Sequence, residues 1–371
     1  MNSHPQKSDW KKFKRNKLSV AGLVFIILIT LISVIGYLIT PDDSPMANKM
    51  NLPLNIEKPG KTFTLLKIPK SPQPESQNFL NKMLFGQTTQ FDEIPVSEYR
   101  FHKNQLIYRE YIGGDEAGEL VALPLKTFQS NNIQKIKADY IIKKTYWLGT
   151  DIYGRDLLSR IIIGSRISLM VGFMAVLISL ILGISLGATA GYFGGKTDAS
   201  ISWLMNVIWS LPALLLVIAI SFALGKGFWQ VFIAVGLSMW VEVARLVRGQ
   251  VLAMKNAQFI EAAKSLGFGN TRIIYRHILP NIVGPILVVA ASNFASAILL
   301  EAGLSFLGFG AQPPMPTWGG MIKEHYGYII IDAAYLALIP GLMIMLTVYS
   351  FNLITLGLRD LFDVKSQNTN V

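Results

Sequence analysis

Residues 166–196 read Arg166-Ile-Ser-Leu-Met-Val-Gly-Phe-Met-Ala-Val-Leu-Ile-Ser-Leu-Ile-Leu-Gly-Ile-Ser-Leu-Gly-Ala-Thr-Ala-Gly-Tyr-Phe-Gly-Gly-Lys196, with 29 uncharged residues between the two cations. Roughly 20 mostly apolar helical residues cross a bilayer core, so this run predicts a transmembrane helix. Similar runs lie on either side of it. There are 24 uncharged residues between Lys17 and Asp42, 27 between Asp198 and Lys226, and 26 between Asp332 and Arg359. A fifth run extends from His277 to Leu300. A sixth, from Gly227 to Val241, has 15 uncharged residues and continues through Val243, Ala244, Leu246 and Val247, where Arg245 can snorkel towards headgroups. The expectation is six spans, at 18–40 and at about 167–191, 204–225, 228–247, 282–302 and 333–357. The fold class is an all-α polytopic membrane protein with an inserted extracytoplasmic domain.

Composition agrees. Of 371 residues, 51% are hydrophobic and 15% charged, which makes a soluble enzyme improbable. No cysteine is present, so disulfides, thiolate nucleophiles and cysteine-ligated metals are excluded. The net charge of +11 is concentrated. Residues 1–17 carry six Lys or Arg, and the segment after the fourth span carries Arg245, Arg248, Lys255, Lys264, Arg272 and Arg276. By the positive-inside rule both face the cytoplasm, which places both termini, including the tail 364–371, inside a cell (inner) membrane. The first run is too long for a signal-peptide core and lacks a small-residue cleavage site, so it reads as an uncleaved anchor.

The segment 41–146 is the predicted extracytoplasmic insertion. It is rich in proline and in mixed charge, and Thr62 to Ile68 and Gln105 to Tyr111 have strand-like composition interrupted by Pro69, Pro72 and Pro74.

Three motifs are decoys. Ala190 to Thr197 satisfies the relaxed spelling of a phosphate-binding loop, but an apolar helix precedes it where a buried strand is needed. Asp151 and Asp156 flank Gly154 without calcium-loop spacing, so helix capping by Thr150 or Asp151 is the expected use, leading into a face of Leu157, Leu158, Ile161 and Ile162. The histidines, His4, His102, His277 and His325, are scattered and offer no metal-ligand spacing.

The basic segment 249–281 is the most informative. Its punctuation predicts two short helices, with Asn256 capping the first, Gly267 ending it, Asn270 capping the second and Pro280 stopping that one. Ala262 and Ala263 are small enough for another protein to approach beside Glu261, and Arg272 and Arg276 lie four apart.

This segment resembles the EAA loop of ABC-importer permeases. Glu261-Ala262-Ala263, Gly267 and Leu279-Pro280 match it, with His277 a departure at an apolar position. Arg276-His277-Ile278-Leu279-Pro280-Asn281 is similar to the C-type subunit of the dipeptide, oligopeptide and nickel permeases. Further matches are Leu148-Gly149-Thr150-Asp151, Gly154-Arg155-Asp156-Leu157-Leu158-Ser159-Arg160, Gly164 to Leu169, Gly191 to Gly195, Ala244-Arg245 with Arg248-Gly249-Gln250, Glu301 to Gly308, Gln312-Pro313-Pro314, Trp318-Gly319, Asn352 and Leu358-Arg359-Asp360. The resemblance is dense over 147–363, the permease core. Thr355-Leu356 and Val364 depart from it, and the segment 41–146 exceeds the family norm.

The resemblance implies a type I ABC-importer fold and a subunit with no catalytic residues, no bound cofactor and no metal. ATP and Mg would be used on two cytoplasmic ATPases. A second homologous permease subunit completes a heterodimer in membrane lipid, an extracytoplasmic binding protein delivers substrate, and nucleic acid is not a partner. Glu261, Ala262, Ala263, Gly267, Leu279 and Pro280 would then form the ATPase-coupling site, with Ala263→Trp uncoupling transport without unfolding. The residues that bind substrate are not identified. Glu301, some 20 residues along its span, is expected near the outer surface in a structural hydrogen-bonding role, and Glu242 near an inner end. Peptides are the expected cargo; nickel complexes or another small solute are the nearer alternative. A secondary transporter or channel would show intramembrane carboxylates or paired broken helices in repeated halves.

Overall fold

The computed structural model describes residues 13–72, 77–114, 117–129, 132–225 and 227–367. The basic run at 1–12, the tail end at 368–371 and Pro74 lie outside them. Five described helices are long and apolar enough to cross a membrane: α1 (Lys17–Ile39), α4 (Leu157–Phe193), α7 (Phe228–Met254), α10 (Val283–Phe306) and α12 (Tyr335–Gln367). Between α1 and α4 lie β1 (Lys61–Pro69), α2 (Phe79–Phe85), β2 (Phe91–His102), β3 (Gln105–Tyr111), β4 (Ala117–Pro124), α3 (Ile133–Tyr140) and β5 (Ile141–Tyr146). The shorter helices later in the chain are α5 (Gly195–Trp209), α6 (Ala213–Leu224), α8 (Gln258–Ser265), α9 (Asn270–Ile273) and α11 (Trp318–His325).

One predicted span is corrected. The stretch 204–225 is not a straight helix: α5 and α6 meet at 96° across Ser210, Leu211 and Pro212. Pro212 has no N–H to continue the ladder and disfavours a helical Leu211. The helix of the second span begins well before 167, because the amphipathic lead and the apolar run form one helix, α4. Its cap is Asp156, not Thr150 or Asp151. Asp156 accepts hydrogen bonds from Leu158 N at 3.2 Å and Ser159 Oγ at 2.7 Å. Asp151 is held one turn earlier, where Gly154 at φ +69° closes a tight loop. The helix of the fourth span continues past 247 to Met254. The apparent phosphate-binding loop is a corner between two helices, with Gly194 and Gly195 at φ +67° and +54°.

The segment 41–146 folds into an antiparallel sheet of order β4-β3-β2-β1-β5, so the all-α description covers the helical bundle and not the whole chain. Both strand-like stretches are strands, and β1 ends at Pro69 as its missing N–H requires. Leu66, Val96, Leu106, Tyr108, Leu125, Phe128 and Ile136 make the sheet's own core. Tyr335 Oη donates to Glu57 O at 3.0 Å, tying the sheet segment to the start of α12.

Candidate functional site

The helix α8 stands on the bundle by its apolar side. Ile260 and Ala263, three apart and therefore on one face, are buried with Val243, Val247 and Val251 of α7, Ala188 of α4, and Ile273, Ile274 and Ile278. Gly267 at φ +78° ends it, and Phe268 N donates back to Ala263 O at 3.1 Å, a left-handed closure that only glycine makes without strain. Tyr192 Oη, at the end of α4, donates to Asn270 Oδ1 at 3.0 Å. The loop is thus fastened to two spans.

The predicted site residues separate by exposure. Glu261, Ala262 and Gly267 are exposed, with Leu266 beside them at 73%. Ala263 is turned inward at 4% exposure, which corrects the expectation that another protein approaches it. Leu279 and Pro280 are half-buried in the 3-10 turn Leu279–Asn281 that leads into α10. Two caps also differ. Ala257 precedes α8 where Asn256 was expected, and Asn270 is the first residue of α9, where it receives Tyr192 instead of capping. A wide π turn over Ile274–Ile278 follows α9, so Arg272 and Arg276 do not share a regular α-helical face. The Arg272 guanidinium lies 4.1 Å from the centre of the Phe268 ring, which in turn stacks on His277.

A glycine ridge below α8 went unread in the sequence. A Cβ at Gly183 would lie 2.5 Å from Val243 Cβ, at Gly187 2.5 Å from Ala244 O, and at Gly191 2.8 Å from Arg248 O. The four-residue spacing puts all three on one face of α4, where their lack of side chains lets α7 approach backbone to backbone. That spacing inside an apolar run was the available signal. This contact and the α8 core join the loop, α4 and α7 in one packed unit.

Glu301, near the sheet end of α10, is buried. It accepts from Ser305 Oγ at 2.7 Å and from Ser168 Oγ of α4 at 3.4 Å, so it bridges two spans as a structural residue. Glu242 is differently placed. Glu242 sits about 21 Å from the start of α7 and about 18 Å from its end at 1.5 Å per residue. It is exposed on this chain. One turn on, Arg245 donates to Asn206 Oδ1 at 2.9 Å and lies over the Trp209 ring at 4.5 Å. A carboxylate within a membrane span is costly against lipid, which makes this α5–α7 face a candidate for contact with protein or water.

The titratable groups Asp151, Glu324 and His325 come together at the sheet end. Two guanidiniums already engage the carboxylates. Arg155 Nε donates to Asp151 Oδ2 at 2.6 Å and its Nη2 to Glu324 Oε2 at 3.0 Å, while Arg160 lies 3.5 and 3.6 Å from the same pair. The balanced charge favours a structural clasp over a cation site. Burial holds His325 below the usual imidazole range, against the raising effect of the Met321 carbonyl, Asp151 and Glu324.

Apolar helices in this number, with a short exposed loop helix braced on two of them, define a multi-pass membrane protein. The chain belongs to the family described as binding-protein-dependent transport system inner membrane component, whose pattern matches residues 179–367. The N-terminal TM domain of oligopeptide transport permease C matches residues 7–53. A dipeptide transport system permease protein of Alkalihalophilus pseudofirmus is 43% identical over 243 residues, 66% of this chain and 78% of the relative. A glutathione transport system permease protein of Pectobacterium atrosepticum is 44% identical over 220 residues, 59% of this chain and 73% of the relative. An oligopeptide transport system permease protein of Haemophilus influenzae is 38% identical over 241 residues, 65% and 77% of the two chains.

Proposed function

We propose that this chain is the transmembrane permease subunit of an ATP-driven importer of di- or oligopeptides, working without catalytic residues of its own. The carrying observation is that α8 offers Glu261, Ala262, Leu266 and Gly267 outward while Ile260 and Ala263 lock it to α4 and α7. A small, exposed helix on a rigid footing suits a cleft on a cytoplasmic ATPase, and closure of that ATPase would move the two spans as one body. Two ATPases would hold ATP and Mg. A second permease subunit would stand opposite the Glu242 face across a water-filled path, and a binding protein would deliver peptide at the sheet end. In this reading both termini and α8 are cytoplasmic, the sheet is extracytoplasmic, and the membrane is the cell (inner) membrane. The substrates named for the relatives are peptides, glutathione among them, and no observation favours a nickel complex.

The test is uptake of radiolabelled dipeptide into proteoliposomes holding both permeases and both ATPases, with binding protein outside and ATP inside. Uptake is expected only when all components and ATP are present. Uptake by this chain without ATPases would overturn the reading.

A further inference from the structure

The short helix α2 presents Phe79, Leu80, Leu84 and Phe85 outward at 65%, 63%, 49% and 67% exposure. Such a cluster on a polar segment calls for a cover. Its position relative to α1 identifies one. Arg166 of α4 clamps the two helices together: Nη1 donates to Leu84 O at 2.7 Å and Nη2 to Met83 O at 3.0 Å on α2, while Nε donates to Ser33 O at 3.0 Å and Nη2 to Val34 O at 2.6 Å on α1. The guanidinium also lies 5.0 Å from the Tyr37 ring centre. Just past α2, Gly86 rests where a Cβ would lie 2.8 Å from Asp43 O and 2.9 Å from Tyr37 Cε1, so the helix end is pinned beside the last turns of α1.

The depth follows from helix geometry. Val34 is about 8 Å below the end of α1 at 1.5 Å per residue. An upright α1 of about 34 Å overshoots a hydrocarbon core of about 30 Å by roughly 2 Å at each edge. The C-terminal carbonyls of α2, which share the Arg166 guanidinium with Val34 O, therefore sit near the hydrocarbon boundary, the level of an interfacial helix. On α1, Leu28, Leu31, Ile35 and Ile39 are exposed as well. Lys82 and Met83 turn towards the protein, with Lys82 Nζ 3.1 Å from Asp43 and Gln87 N donating to Asp43 O at 2.7 Å, while Asn81 shares the exposed side.

We propose that α2 is a lipid-inserted foot. Phe79, Leu80, Leu84 and Phe85 lie among acyl chains of the leaflet next to the sheet, and this contact with the Arg166 clamp fixes the height of the sheet over the bilayer. The inference rests on the membrane span α1 and on no assumption about cargo or ATPases.

The absence of native cysteine makes the test direct. Full-length Phe79→Cys, Leu80→Cys and Phe85→Cys chains, each carrying one nitroxide, are placed in phosphatidylethanolamine and phosphatidylglycerol nanodiscs. Collision rates with oxygen and with a water-soluble nickel chelate are compared with those of a Ser97→Cys label on β2. Oxygen-to-nickel ratios several-fold above the Ser97 label are expected at all three positions. Ratios equal to that label would overturn the proposal, and so would labels shielded from both reagents, which would mean a protein cover.

Discussion

Helices α1 and α7 both pass for membrane spans, yet they do opposite work. Within its most apolar stretch α1 buries 22% of its residues, whereas α7, the less apolar of the two, buries 61%. Hydrophobicity therefore does not locate the centre of this bundle. The more apolar helix is at the rim, where lipid is its solvent, and the helix carrying Glu242, Arg245 and Arg248 is at the centre. In lipid no hydrophobic force draws apolar helices together, so close backbone packing and polar contacts decide which helices associate.

The strongest way to break this contrast is Gly187→Leu, which forces a side chain into the Ala244 backbone. Overpacking of a tight contact costs about 1 to 3 kcal/mol. A large fall in Tm in detergent and loss of transport are expected, while Leu31→Ala on the exposed side of α1 leaves Tm unchanged.

A subtler contrast is chemical. Glu242→Cys is expected to react with a cationic methanethiosulfonate in the assembled transporter, and Leu31→Cys to resist it. Equal resistance would mean that the Glu242 face is closed off from water.

A smaller effect concerns pH. His325 titrates below its usual value because it is buried, so the folded state binds fewer protons than the unfolded one as pH falls. Its contribution to stability is complete above an unfolded pKa of about 6.5 and is lost as pH falls from there towards the lowered folded value. Tm should decline as pH falls below about 7, and His325→Gln should flatten that decline. The smallest effect is at Lys58, whose ion pair with Asp332 is fully solvent-exposed. Lys58→Ala should leave Tm unaltered.

Much of this architecture was legible because charge-free runs mark spans and Gly267 marks a helix end. The break at Ser210-Leu211-Pro212 was not, since the apolar run continues through it and only Pro212 signals the bend. The glycine ridge at 183, 187 and 191 was hidden for a related reason. Hydropathy counts glycine as neutral, while packing makes it the point of closest approach. The inward turn of Ala263 follows from its pairing with Ile260, a periodicity that matching the Glu-Ala-Ala motif as a unit obscures. The sheet was visible in two strands, but its order depends on long-range pairings such as Leu65 with Ile142, which composition does not encode.

The two alanines of that motif give the most direct test of coupling through α8. Ala263→Trp should destabilise the chain by crowding Ile260 and Val251. Ala262→Trp, on the exposed side, should leave abundance and Tm intact while abolishing ATP-driven peptide uptake by the assembled transporter. Normal uptake by Ala262→Trp would contradict the account.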